Sequence, residues 1–100
     1  MIKLKFNFFL LFEIMQRAAE ELGLPAATAR KLVLQTARGA TEMAQTASID
    51  PAELRRQVTS PGGTTQRALE TLDQGGLEQL VKRAMTAAVE RAEEMSNDHA

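Results

Sequence analysis

Five consecutive apolar residues, Phe8-Phe9-Leu10-Leu11-Phe12, open the first helix-forming stretch of this chain. On a helix of about 3.6 residues per turn, five successive side chains point in every direction. Such a segment has no face to give to water and needs protein all round it. The run is far short of the ~20 residues that a membrane-spanning helix requires, so lipid does not supply the cover. A chain of 100 residues has little mass of its own to wrap around the segment. A second copy of the chain is the simplest source of the missing surface.

The rest of the chain follows helical periods. Phe8 to Leu22 reads as one helix, with Ile14, Met15, Ala18 and Leu22 on one face and Arg17, Glu20 and Glu21 on the other. Gly23 is placed to stop it, and Pro25 to begin the next. A second helix runs from about Ala26 to Thr46, and Ala29, Val33, Ala37, Ala40, Ala44 and, just past it, Ala47 recur at steps of three and four. This small-residue stripe, with Gly39 beside it, suits close approach by another long helix. Asp50-Pro51-Ala52-Glu53 starts a short charged helix to about Val58, with Asp50 as N-cap, Pro51 as first helical residue and Glu53 reaching back. A fourth helix, about Thr65–Gln74, points Ala68, Leu69 and Leu72 inward, and Gly75-Gly76 ends it. A fifth runs from about Leu77 to Met95 with Leu77, Val81, Ala84, Ala88 and Met95 in one stripe. The expected fold is all-α, about five helices over residues 8–95, forming an intertwined dimer. Residues 1–7 form a lead-in whose alternation of Ile2, Leu4 and Phe6 with Lys3, Lys5 and Asn7 is too short to define a strand. Residues 96–100 form a polar tail expected to be disordered.

Composition removes several classes of chemistry. With no cysteine there is no disulfide, thiolate metal site or cysteine nucleophile. The only histidine, His99, falls in the polar tail and is expected to be solvated. No His/Asp/Glu cluster has the spacing of metal ligands. A formal net charge of −1 gives no drive toward nucleic acid or an anionic membrane. The apolar run near the start reaches Glu13 without a prompt small-residue cleavage site, so a cytoplasmic location is the default expectation. There is neither a Gly-x-Gly-x-x-Gly fingerprint after a strand nor a Gly-Lys-Ser/Thr phosphate loop. The third and fourth helices are joined by a connection longer than that of a helix-turn-helix and lack a basic arm.

One loop carries the chemistry that remains. Thr59-Ser60-Pro61-Gly62-Gly63-Thr64-Thr65 lies between two helical stretches, with four hydroxyls crowded around two glycines. A helix start presents unpaired N–H groups and a partial positive charge, and glycines let an anion come close. On these grounds the loop is either a cradle for a carboxylate or phosphate, or a turn closed by Ser/Thr caps.

The same residues also carry a resemblance. Pro51-Ala52-Glu53-Leu54, Val58-Thr59-Ser60-Pro61-Gly62-Gly63-Thr64-Thr65, Ala68-Leu69 and Leu72-Asp73 together resemble the signature of Δ1-pyrroline-5-carboxylate reductases. Leu22-Gly23-Leu24-Pro25, Gln35-Thr36-Ala37-Arg38-Gly39-Ala40 and Gln74-Gly75-Gly76-Leu77 are similar to that family in the same order. The likeness covers about Phe8 to Met95 and corresponds to the C-terminal helical dimerisation domain. It implies the last step of proline synthesis, reduction of Δ1-pyrroline-5-carboxylate to proline by NADPH or NADH, and a homodimer that can assemble further. By the same likeness Ser60 and the N–H groups around Gly63, Thr64 and Thr65 would hold the substrate carboxylate, with the Thr65 hydroxyl facing the ring nitrogen as the catalytic group. The family's Rossmann domain has no counterpart here, and Met1–Asn7 stands where the family has a Gly-Ser-Gly-Pro-Ala-Tyr-like lead-in. The isolated chain is therefore expected to bind no dinucleotide and to be inactive alone. The alternative is a stand-alone helical dimerisation or interaction protein without catalysis.

Overall fold

The computed structural model describes residues 4–46 and 48–98. Five helices follow one another: α1 (Lys5–Glu21), α2 (Ala26–Thr46), α3 (Pro51–Gln57), α4 (Thr64–Gln74) and α5 (Leu77–Asp98). There is no strand among the described residues, and the fold is all-α. The chain divides into two compact units after Leu54.

In the first unit α1 and α2 pack against each other as a helical hairpin. Gly23 makes the reversal possible. Its φ of 110° lies where side-chain-bearing residues are strained. Gly23 N–H donates to the Glu20 carbonyl at 3.0 Å, and Leu24 N–H donates to the Ala19 carbonyl at 3.1 Å. This pair of bonds is a Schellman motif, and it satisfies carbonyls that the last turn of α1 would leave open. Pro25 then offers its carbonyl to Ala29 N–H at 2.9 Å as α2 begins. Ala29 and Val33 are buried, and they are the only buried hydrophobic residues among those described.

The apolar face of α1 read from the sequence is not the face that is half-buried in the single chain. Phe12, Gln16 and Ala19 are half-buried. Ile14 and Met15 are each 47% exposed and Leu22 is 89% exposed. The apolar opening of α1 also stays open, with Phe8, Phe9, Leu10 and Leu11 between 46% and 64% exposed. Phe8 and Phe12, one turn apart, place their ring centroids 6.3 Å from each other in a tilted arrangement, a local gain that does not replace burial. Along α2 the small-residue stripe is covered only near its start. Ala37 is half-buried, Ala40 and Ala44 are exposed, and a Cβ built on Gly39 would meet nothing within 4 Å. Ala47 lies outside the described residues.

In the second unit α4 and α5 pack together across Gly75-Gly76. Gly76 has a φ of 78°, donates to the Asp73 carbonyl at 3.0 Å and accepts from Leu80 N–H at 3.0 Å. It ends one helix and starts the next. Leu69, Met85, Ala88 and Val89 are half-buried, while Ala68, Leu72, Leu77, Leu80, Val81 and Met95 are exposed. No residue of α4 or α5 is fully buried.

Two helices run further than expected. Helix α1 starts at Lys5, with Asn7 N–H bonded to the Leu4 carbonyl at 3.1 Å. Three alternating pairs with no partner strand cannot hold an extended conformation, and Lys5 and Asn7 contain no breaker. Ile2 and Lys3 lie outside the described residues. Helix α5 continues to Asp98, so Ser96, Asn97 and Asp98 are helical rather than part of a tail, because no glycine or proline interrupts them. His99 and Ala100 lie outside the described residues.

Most of the charged residues sit on solvated faces, with Glu20 and Glu53 half-buried. Arg17–Glu13, Arg38–Glu42 and Arg91–Glu94 pair at 3.5, 3.1 and 3.0 Å on exposed helix surfaces. Such pairs contribute only about 0.3–0.5 kcal/mol each. No helix among the described residues is long and apolar enough to cross a membrane.

Substituting Gly23→Ala forces a β-carbon into a positive-φ position and should destabilise the chain by about 1–2 kcal/mol. The Cβ itself meets nothing within 4 Å, so the loss is conformational rather than steric. A shift of the urea midpoint at constant slope measures it. An unchanged midpoint would show that the hairpin does not rest on this turn.

Candidate functional site

The turn before α4 is built by its sequence. Gly63 N–H donates to the Ser60 carbonyl at 2.9 Å, closing a four-residue turn with Pro61 and Gly62 at its centre. Proline fixes a negative φ at the first central position, and Gly62 has a φ of 73° at the second. Those two facts define a type II turn, which needs glycine at that second position. Gly63 follows as the N-cap of α4 in extended backbone, φ −85° and ψ 179°. A Cβ on Gly63 would lie 3.1 Å from the Ser60 carbonyl oxygen, so the bare α-carbon lets the turn close tightly.

This construction decides which donors remain. A glycine N-cap has no side chain to cap the helix, and α4 carries no side-chain cap hydrogen bond. Compared with a hydroxyl-bearing N-cap this costs only a few tenths of a kcal/mol. Intrahelical bonding resumes with Arg67 N–H, which donates to the Gly63 carbonyl at 3.2 Å. The N–H groups of Thr64, Thr65 and Gln66 therefore have no partner among the described residues. The glycine donors are not part of that set. Gly63 N–H is committed to Ser60, and Gly62 N–H donates to the side-chain oxygen Oε1 of Gln66.

The four hydroxyls separate in the same way. Thr59 Oγ1 donates to the Arg55 carbonyl at 2.5 Å and Thr59 N–H to the Arg56 carbonyl at 3.1 Å, so Thr59 closes the end of α3. The hydroxyls of Ser60, Thr64 and Thr65 have no intramolecular partner among the described residues. Ser60 and Thr64 are exposed; Gly63, Thr65 and Gln66 are half-buried. Beside the turn, Arg55, Arg56, Thr59, Pro61 and Gln66 line an open hollow of about 170 Å³. Three free N–H groups on one helical turn, with a hydroxyl next to them and the helix dipole behind them, suit an anion with two acceptor oxygens. No group of three or more His, Cys, Asp or Glu residues that could hold a metal ion occurs among the described residues.

The model of the family described as pyrroline-5-carboxylate reductase dimerisation matches residues 7–95. The chain belongs to that family. It is 49% identical over 89 residues to a pyrroline-5-carboxylate reductase of Pseudomonas aeruginosa, covering 89% of this chain and 33% of that one. The fold superposes on the structure of a pyrroline-5-carboxylate reductase from Coxiella burnetii with a TM-score of 0.85 at 48% identity, covering 88% of this chain and 33% of that chain. It also superposes on a Plasmodium falciparum pyrroline carboxylate reductase solved with NADP bound, with a TM-score of 0.87 at 30% identity, over 89% of this chain and 34% of that chain. The chain thus spans about a third of the length of the curated relatives it matches.

Ser60, Gly63, Thr64 and Thr65, the residues singled out by resemblance, are all in this turn and the helix start it feeds. Gln66 was not among them. Its signal was present in the sequence: a Gln three residues after an N-cap is the reach-back position of a capping box. Here it reaches one residue further, to Gly62, because the Gly63 N–H is already used.

Replacing Gly62 by Ala should cost about 1–2 kcal/mol, since only the positive φ penalises the new side chain and the space around it is open. Chemical denaturation measures the loss. A neutral substitution would mean that the turn is not held in the type II form.

Proposed function

We propose that the chain provides the dimerising and carboxylate-binding part of a pyrroline-5-carboxylate reductase, which reduces Δ1-pyrroline-5-carboxylate to proline. The observation that carries this is the set of N–H groups at Thr64, Thr65 and Gln66, unpaired among the described residues, at the end of the turn that begins at Ser60. The substrate carboxylate accepts from these fixed donors, which need no reorganisation when it arrives. Thr65, half-buried in the first turn, then places its hydroxyl toward the ring nitrogen. That nitrogen must be protonated as the imine carbon is reduced. A threonine hydroxyl is a very weak acid, so Thr65 orients the nitrogen or relays a proton rather than being its source. The relative solved with NADP bound supports a nicotinamide dinucleotide as reductant. The described residues contain no strand–glycine–helix unit to seat one, and no step on this chain is assigned to it.

Homodimerisation is supported by the family's description and by the open apolar surface. Phe8, Phe9, Leu10, Leu11, Ile14 and Met15 are each about half exposed. Leaving half of such a side chain wet forgoes about 1 kcal/mol. Six of them in α1 approach the ~5–15 kcal/mol that holds a whole domain together. A second copy, its helices laid along α1 and the open part of the α2 stripe, would cover them.

The catalytic assignment is tested by fusing this chain to the remainder of the Pseudomonas aeruginosa enzyme and substituting Thr65→Ala. Turnover should fall at least about tenfold, while stability changes by no more than ~1 kcal/mol, the size of a helix-cap effect. A steep fall in melting temperature with turnover intact would make the hydroxyl structural.

A further inference from the structure

We draw no further inference here: the strongest candidate, the open hollow of about 420 Å³ lined by Phe12 of α1 and by Leu34, Ala37, Arg38, Thr41 and Glu42 of α2, continues the apolar surface already proposed to take the second copy of the chain, and nothing in the structure points to another occupant.

Discussion

The constraint on which everything else depends is that this chain cannot bury its own apolar surface. Burial of apolar area is the main force that folds a domain, and here only Ala29 and Val33 are fully inside. The helices are formed by local means: a Schellman turn at Gly23, a proline start at Pro51, a two-glycine junction at Gly75-Gly76. Local means alone leave helices of this length marginal, since most helical stability in proteins comes from tertiary packing of an apolar face. The faces exist on α1, α2 and α5, and they are open. A homodimer resolves the mismatch without any new sequence, because the surface that lacks cover is also the surface that supplies it. The family to which the chain belongs carries dimerisation in its description.

The site turn obeys a different economy. It exposes donors instead of burying carbon. A serine or threonine cap would occupy an N–H of α4, whereas Gly63 leaves those of Thr64, Thr65 and Gln66 open. The remaining glycine donors are tied off inside the turn, to Ser60 and to Gln66. The positive charge of the helix start is thereby concentrated on one turn of backbone. Thr59, which reads like part of the same hydroxyl cluster, is taken up in closing α3.

Much of this was legible in the residue order. The end of α2 was marked by periodicity, the start of α5 by periodicity and the preceding Gly75-Gly76, and the loop by Pro-Gly-Gly between two helical stretches. What was not legible has physical causes. Which side of α1 meets α2 was not legible, because a helix that is apolar on most sides does not single one out; Phe12, Gln16 and Ala19 are half-buried while Ile14 and Met15 are about half exposed. The ends of α1 and α5 extended because nothing breaks a helix at Lys5 or before Asp98, and polar composition alone does not stop one. At the site, residue types pointed to Ser60, Gly63, Thr64 and Thr65 but not to the way their donors are divided. That division depends on where each N–H group points in the folded turn, which residue type alone does not encode.

The central claim, that the fold requires a second copy, is tested most directly by urea unfolding followed across a hundredfold range of chain concentration, with sedimentation equilibrium on the same samples. For an obligate dimer the midpoint rises with concentration, by mass action, and the folded species sediments at twice the 11.0 kDa of the chain. A folded species of monomer mass, with a midpoint independent of concentration, would contradict the account.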